Sequence, residues 1–210
     1  MRTGDSDFID ASAMPDADSQ VDWLNLPPSA TATSLWNTLH DAYVIMIRSN
    51  LLERTMDLFF EIEHLNEFQK LGKGFHFILR LEGVQSARVL NYAIWPGGCS
   101  IPYGLSVEEQ RKIVAEYQAK WREESGSWKE FESRITRDDE QVFDISDAAL
   151  AMSPKLSFAL KLCGHLNHAT YHEAYLRFEA LKISGSDGQT IDLEEFQRLG
   201  EKYWEAFGRG

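Results

Sequence analysis

Phe77-Ile78-Leu79-Arg80-Leu81-Glu82-Gly83 reads F-x-L-(basic)-L-x-G, and 81 positions later Phe158-Ala159-Leu160-Lys161-Leu162-Cys163-Gly164 reads the same. Side chains of a strand alternate between its two faces, so each phrase lines three large apolar residues along one face. The glycine that closes each copy reads as a turn. The phrase therefore predicts a half-buried strand, met twice.

The neighbouring segments extend that reading. Asp41–Arg48 is apolar on both faces, as in a strand covered from both sides. Thr55–Ile62 alternates, with Met56, Leu58, Phe60 and Ile62 on one face. His64–Leu71 reads as a short helical turn, Phe75–Glu82 as a strand and Ser86–Trp95 as another. Ser106-Val107-Glu108-Glu109 matches a capping box, and Ile113, Val114, Tyr117 and Trp121 follow at helical spacing. In the second half, Trp128–Ile135, Gln141–Met152, Leu156–Leu162 and Tyr171–Ile183 read as strands. Asp192 caps a final helix whose apolar stripe is Leu193, Phe196, Leu199, Tyr203 and Phe207. Each half thus reads ββββα. The expected class is α+β, antiparallel and β-rich, with two similar halves (34–125 and 126–210) and helices covering one sheet face.

Residues 1–33 hold six aspartates against one arginine, a net of −5, out of −12 for the 210-residue chain. So polar and turn-rich a segment buries too little apolar surface to offset its ordering entropy. It reads as a disordered acidic tail, with Val21, Trp23 and Leu24 as the residues able to dock, before a single domain at 34–210. The negative balance disfavours phosphate backbones and anionic bilayers, so neither nucleic acid nor membrane is an expected partner. No apolar run reaches the roughly 18 residues of a membrane span, and Met1–Asp5 opens no signal-peptide core. The expectation is a soluble cytoplasmic protein. Cys99 and Cys163 are the only cysteines, and both read as free thiols.

Chemistry-bearing motifs are sparse. His165-x-x-His168-x-x-x-His172 would share a helical face as a zinc set, but the segment reads as a turn leading into a strand. His172 then falls with Ala174 and Leu176 as a core histidine, and no metal is assigned. Ser184–Glu195 imitates the end of a calcium loop, yet it places serines where the first carboxylates belong and reads as a capped turn. Pro96-Gly97-Gly98-Cys99-Ser100 holds a thiol with no base near it in sequence. Phosphate-loop, dinucleotide, nucleophile-elbow and C-x-x-C motifs are absent.

Leu39-His40-Asp41-Ala42 pairs an imidazole with a carboxylate, but strand alternation sends the two side chains to opposite faces. That L-H-D-A phrase, leading into an apolar strand, resembles the start of several small uncharacterised bacterial proteins, some of them immunity proteins of toxin systems. The resemblance implies a protein partner and no shared catalytic residues. On the last long strand, Tyr175 and Arg177 alternate outward between Glu173 and Glu179 and are the candidate binding residues. The expected function is non-enzymatic: a protein-binding, adaptor- or immunity-like module without cofactor, for a basic partner. The alternative is a small-molecule or metal-dependent enzyme with its site between the halves.

Overall fold

In the computed structural model, residues 21–23, 25–92, 104–113, 122–124, 127–135, 142–153, 157–166 and 170–208 are described. The alternating segments form β1 (Thr31–Ser34), β2 (Tyr43–Asn50), β3 (Thr55–Glu61), β4 (Phe77–Glu82), β5 (Ser86–Tyr92), β6 (Arg122–Glu124), β7 (Phe143–Ser153), β8 (Ser157–Leu166), β9 (Thr170–Phe178), β10 (Ala180–Gly185) and β11 (Thr190–Ile191). The helices are α1 (Trp36–Leu39), α2 (Glu63–Phe68), α3 (107–113), α4 (Trp128–Arg134) and α5 (Leu193–Phe207). Among the described residues, all strand pairings are antiparallel. The α+β, antiparallel, β-rich class read from the sequence is the one observed. Among the described residues, no helix is long and apolar enough to cross a membrane.

The strand order is β11-β10-β4-β3-β2-β7-β8-β9-β5-β6, with β1 beside β7. This path returns on itself. β9 and β10 are one run interrupted at Glu179, and β4 and β5 are one run bent at residues 83–85. Those two runs pair with each other along both parts, and the Gln85 amide donates to the Arg177 carbonyl across the bend. The seam opposite is β2 against β7. It has two ladder pairs, Tyr43 with Asp144 and Val44 with Phe143, and is extended by Asp41 and Ala42, which exchange hydrogen bonds with Ile145. A ring of strand runs results, and closure of this kind turns one side-chain set of every strand inward.

The inward set is one continuous core. Phe60, Leu58, Leu79, Leu81, Phe143, Leu160, Leu162, Leu176 and Phe178 belong to it, as do Leu39 from α1, Leu65 from α2, Phe131 from α4 and Phe196 from α5. Both copies of the repeated phrase contribute. Phe77 meets Phe196 edge-on, and Phe158 stacks on Phe178. The copies are not equivalent, however. β4 is the third run of a β2–β3–β4 meander, whereas β8 is the second of β7–β8–β9. Gly83 does lie at a bend, with φ +63°. Gly164 lies inside β8, where a Cβ would collide with the Asp144 backbone carbonyl, so close approach explains this glycine.

Three further expectations are corrected. Trp128–Ile135 is helical up to Arg134, not extended, because the Ser127 hydroxyl accepts from the Glu130 amide and caps the first turn. Apolar residues at 128, 131 and 135 suit a helix, while 131 and 135 alone also suit a strand. The 1–33 segment is not a tail throughout. Trp23 and Leu26 are buried with Ala149, Ala151, Ala159 and Tyr175 in a second small core, and β1 pairs with residues 149–152. Tyr171–Ile183 is two strands, since Glu179 breaks the run where its amide donates to the Glu82 carbonyl.

Candidate functional site

The α1 end of the ring is where aromatic and ionisable side chains meet. α5 reaches it because Gly200 presents no side chain to α1: a Cβ there would collide with the Asn37 carbonyl. Two hydrogen bonds hold the approach. The Thr38 hydroxyl donates to the Phe196 carbonyl at 3.2 Å, and the Trp204 indole N–H donates to the Asn37 carbonyl at 2.8 Å. The stripe of α5 buries Phe196 and Gly200 but emerges at its C-terminal end. Tyr203 and Trp204 are half-buried and Phe207 is 67% exposed.

Rings from three elements converge there. Trp36 stacks on Trp204 with centroids 5.2 Å apart, Phe68 meets Tyr203 edge-on at 5.9 Å, and Phe207 contacts both Tyr203 and Trp204. Trp36 is 37% and Phe68 39% exposed, so the cluster forms an open aromatic face. Two histidines are set into it. His40 stacks on Trp36 at 4.5 Å and lies 6.3 Å from Trp204, while His64 lies 4.6 Å from Tyr203 and 6.1 Å from Trp204.

The His40–Asp41 pair does form a contact, against the strand-based reading. Both residues precede β2, and Asp41 adopts φ +60°, which turns its carboxylate back to 3.4 Å from His40 Nε2. His40 Nδ1–H donates to the Ser146 carbonyl at 3.0 Å. Both ring nitrogens are therefore directed at protein groups, which anchors the imidazole more than it offers a base to a substrate. Burial pulls the His64 pKa below the usual histidine range; Asp41 pushes it up and His40 pulls it down. Its Nε2 is buried with no hydrogen-bond partner. Tyr43, whose strand starts at this end, has a raised pKa, first from burial and then from the charges of Asp144, Glu63 and Asp41. The three segments that build this end are acidic in composition. Residues 36–41, 63–68 and 193–207 carry seven carboxylates against two cations, and both cations, Arg198 and Lys202, pair with Glu195.

The residues singled out from sequence lie elsewhere. Tyr175 and Arg177 do point outward from β9, but the face is covered. Tyr175 is only 9% exposed, packed in the Trp23 cluster with its hydroxyl donating to Glu173 at 2.6 Å. Arg177 is half-buried. Lys161, from the same face, lies 6.0 Å from the Trp23 ring centroid and pairs with Asp147. Of the histidine triad, His172 is in the core, 5.5 Å from Phe131, and its pKa is lowered to about 4, chiefly by burial. His165 is on the opposite face of the sheet, near Tyr171. His168 lies outside the described residues, as do Cys99 and its loop. Among the described residues, no three His, Cys, Asp or Glu side chains are placed to hold a metal ion. Cys163 is a free, buried thiol whose pKa burial pushes up to about 12, which suits packing and not nucleophilic attack. The calcium-loop lookalike is the β10–β11 turn, followed by Asp192 accepting from the Glu195 amide at 2.7 Å.

Leu193, Phe196, Leu199 and Tyr203 of the α5 stripe lie in or against the core as their spacing predicts, whereas Phe207, the last residue of that stripe, is exposed. The available signal was length: the stripe continues past the turn that Gly200 lets bury, and Trp204 falls beside it. Comparison with protein-family models, curated proteins and solved structures finds no match for this chain.

Proposed function

We propose that this chain is a non-enzymatic protein-binding module, adaptor- or immunity-like, that docks a basic partner on the face formed by α1, α2 and α5. The observation that carries this reading is the aromatic cluster in which Trp36, Phe68 and Phe207 are exposed around half-buried Tyr203 and Trp204, on segments of net negative charge. Contiguous exposed aromatics on a folded surface mark interaction sites, and Trp and Tyr dominate binding hot spots. A surrounding excess of carboxylates speeds encounter with a cationic partner, and the ring faces attract Arg and Lys side chains. These requirements fit a protein surface rich in arginine or lysine.

The test compares the full chain with a Trp36→Ser/Phe207→Ser double variant, immobilised side by side in extract from the native host. A basic protein retained in stoichiometric amount by the parent and lost by the variant, at an unchanged melting temperature, is the expected result. Equal retention by both would place the docking surface elsewhere.

A further inference from the structure

We infer that the outer face of the sheet carries a latch: Arg88 and Arg177 hold the aspartates just ahead of Val21, Asp16 and Asp18, and so close the N-terminal segment over β7, β8 and β9. The inference concerns a different surface from the α1–α2–α5 face and stands without it. Its basis is an uncompensated pair of cations. Outward-facing residues of four strands lie in register. One row runs Ala151, Ala159, Arg177, Ser86 from β7 through β8 and β9 to β5, and the next runs Ala149, Lys161, Tyr175, Arg88. Arg177 and Arg88 are thus diagonal neighbours on paired strands, roughly 7–8 Å apart at the backbone, which long side chains bridge. Among the described residues neither has an ion pair. The nearby carboxylates are engaged: Glu179 by Arg54, Asp147 by Lys161, and Glu173 by the Tyr175 hydroxyl. The Arg177 Nε–H is buried without a hydrogen-bond partner. A buried charged donor left unpaired costs free energy, and guanidinium groups are well matched by carboxylates.

The chain itself delivers carboxylates to this place. β1 is seated beside β7, the Trp23 ring lies 6.0 Å from the Lys161 ammonium of β8, and Val21 packs against the cluster that holds Tyr175 of β9 and borders Leu90 of β5. Followed towards its N-terminus, the segment therefore crosses the sheet from β7 towards β9 and β5. The two arginines are the next positions along both rows. Asp22 is taken by the Asn25 amide. The aspartates before it are Asp18 and Asp16, three and five residues ahead of Val21. Three extended residues span ~10 Å, whereas Leu90 and Arg88, two apart on β5, are separated by about 7 Å. The reach is sufficient. The charges also match: residues 1–33 hold six aspartates against one arginine, in a chain of net charge −12, so two unpaired arginines side by side are a local exception. The latch keeps covered a face whose floor is Ala149, Ala151, Ala159 and Tyr175.

The experiment is native-state hydrogen exchange by mass spectrometry on the full chain, read in peptides covering residues 21–34, with β3 as the internal reference. The parent, Arg88→Glu/Arg177→Glu, Asp16→Lys/Asp18→Lys and the four-site combination are compared at neutral pH and low salt. Opening of the strap sets exchange in residues 21–34. Each charge-reversed pair should speed that exchange about threefold or more, with β3 unchanged. The combination, which restores the pairing with opposite polarity, should return to within about twofold of the parent. Acceleration by neither pair would overturn the latch. Acceleration by one pair alone, or by both without recovery in the combination, would show that the arginines and the aspartates act separately, and would overturn it too. Should a reversed variant not fold, the parent decides the question unaided. Between about 0.05 and 0.5 M sodium chloride an ion-paired strap should exchange faster, while one held only by Trp23 and Leu26 should exchange at the same rate or slower. Exchange in residues 21–34 that does not rise with salt would overturn the latch.

Discussion

His172 shows how one buried side chain sets a pH limit on the fold. It is 2% exposed beside Phe131 and Phe143, and its folded pKa of about 4 reflects burial first, then the charges of Arg134 and His165. In the unfolded chain the ring titrates near 6.5. As pH falls below that value the unfolded state takes up the proton first, so stability is full above about 6.5, declines towards 4, and levels off below. The loss from this residue amounts to about 3 kcal/mol. Urea midpoints measured at pH 7, 5.5 and 4 should fall accordingly, and His172→Leu should flatten the decline. At Gly164, added volume has nowhere to go, because the Asp144 carbonyl fills the space. Gly164→Ala should cost about 2 kcal/mol or more in chemical denaturation. The inward placement of His172 could be read from its alternation with Ala174 and Leu176. The role of Gly164 could not, since a turn glycine and a close-approach glycine are written alike. The His40–Asp41 contact was hidden for a similar reason: it depends on φ +60° at Asp41, which no pattern of neighbours encodes.

At the scale of elements, local sequence decided most strands, and capping decided the one segment where periodicity was ambiguous. Met56, Leu58 and Phe60 leave no helical alternative, and β3 forms where expected. Phe131 and Ile135, four apart, share a face in either conformation, so α4 depends on its cap and on what it meets. Ser127 caps it, and Glu132 accepts from the Ser49 amide and hydroxyl at 3.0 and 3.1 Å, which ties the helix to β2. Ser127→Ala should lower stability by about 1 kcal/mol, and Asp192→Ala, which uncaps α5, by a similar amount. The α5 variant should also increase the exposure of Trp204, whose indole is anchored to α1, and so red-shift tryptophan emission. A stability loss without that shift would mean that α5 keeps its seat on α1 without its cap. The aromatic face was only half legible at this scale. The stripe on α5 was visible, but the meeting of α5 with Trp36 and Phe68 comes from tertiary packing between distant segments.

For the whole molecule, the question is whether the ring behaves as one unit. The two phrase copies lie on different runs, yet Leu79 and Leu160 are 0% and 1% exposed in a single core. An aspartate at either position would bury an unpaired charge, so Leu79→Asp and Leu160→Asp should each abolish soluble expression. A shared core does not by itself prove closure, because a curled open sheet could bury the same residues. Closure depends on the seam, where β2 and β7 share only two ladder pairs and rely on the Ile145 amide donating to the Ala42 carbonyl at 2.8 Å. The Ile145 amide and carbonyl both bond across the seam, to Ala42 and Asp41, so exchange at this amide reports on the seam. Amides that open only through global unfolding share one protection level, while locally opened ones fall below it. In native-state hydrogen exchange, Ile145 should be protected to within about tenfold of Leu58 and Leu79, at the heart of the first meander. Exchange at Ile145 many orders faster, with Leu58 and Leu79 still slow, would mean that the seam opens by itself. The Asp41 amide, which donates to the Ile145 carbonyl, would then open with it, and the His40–Asp41 edge of the aromatic face would move with each opening.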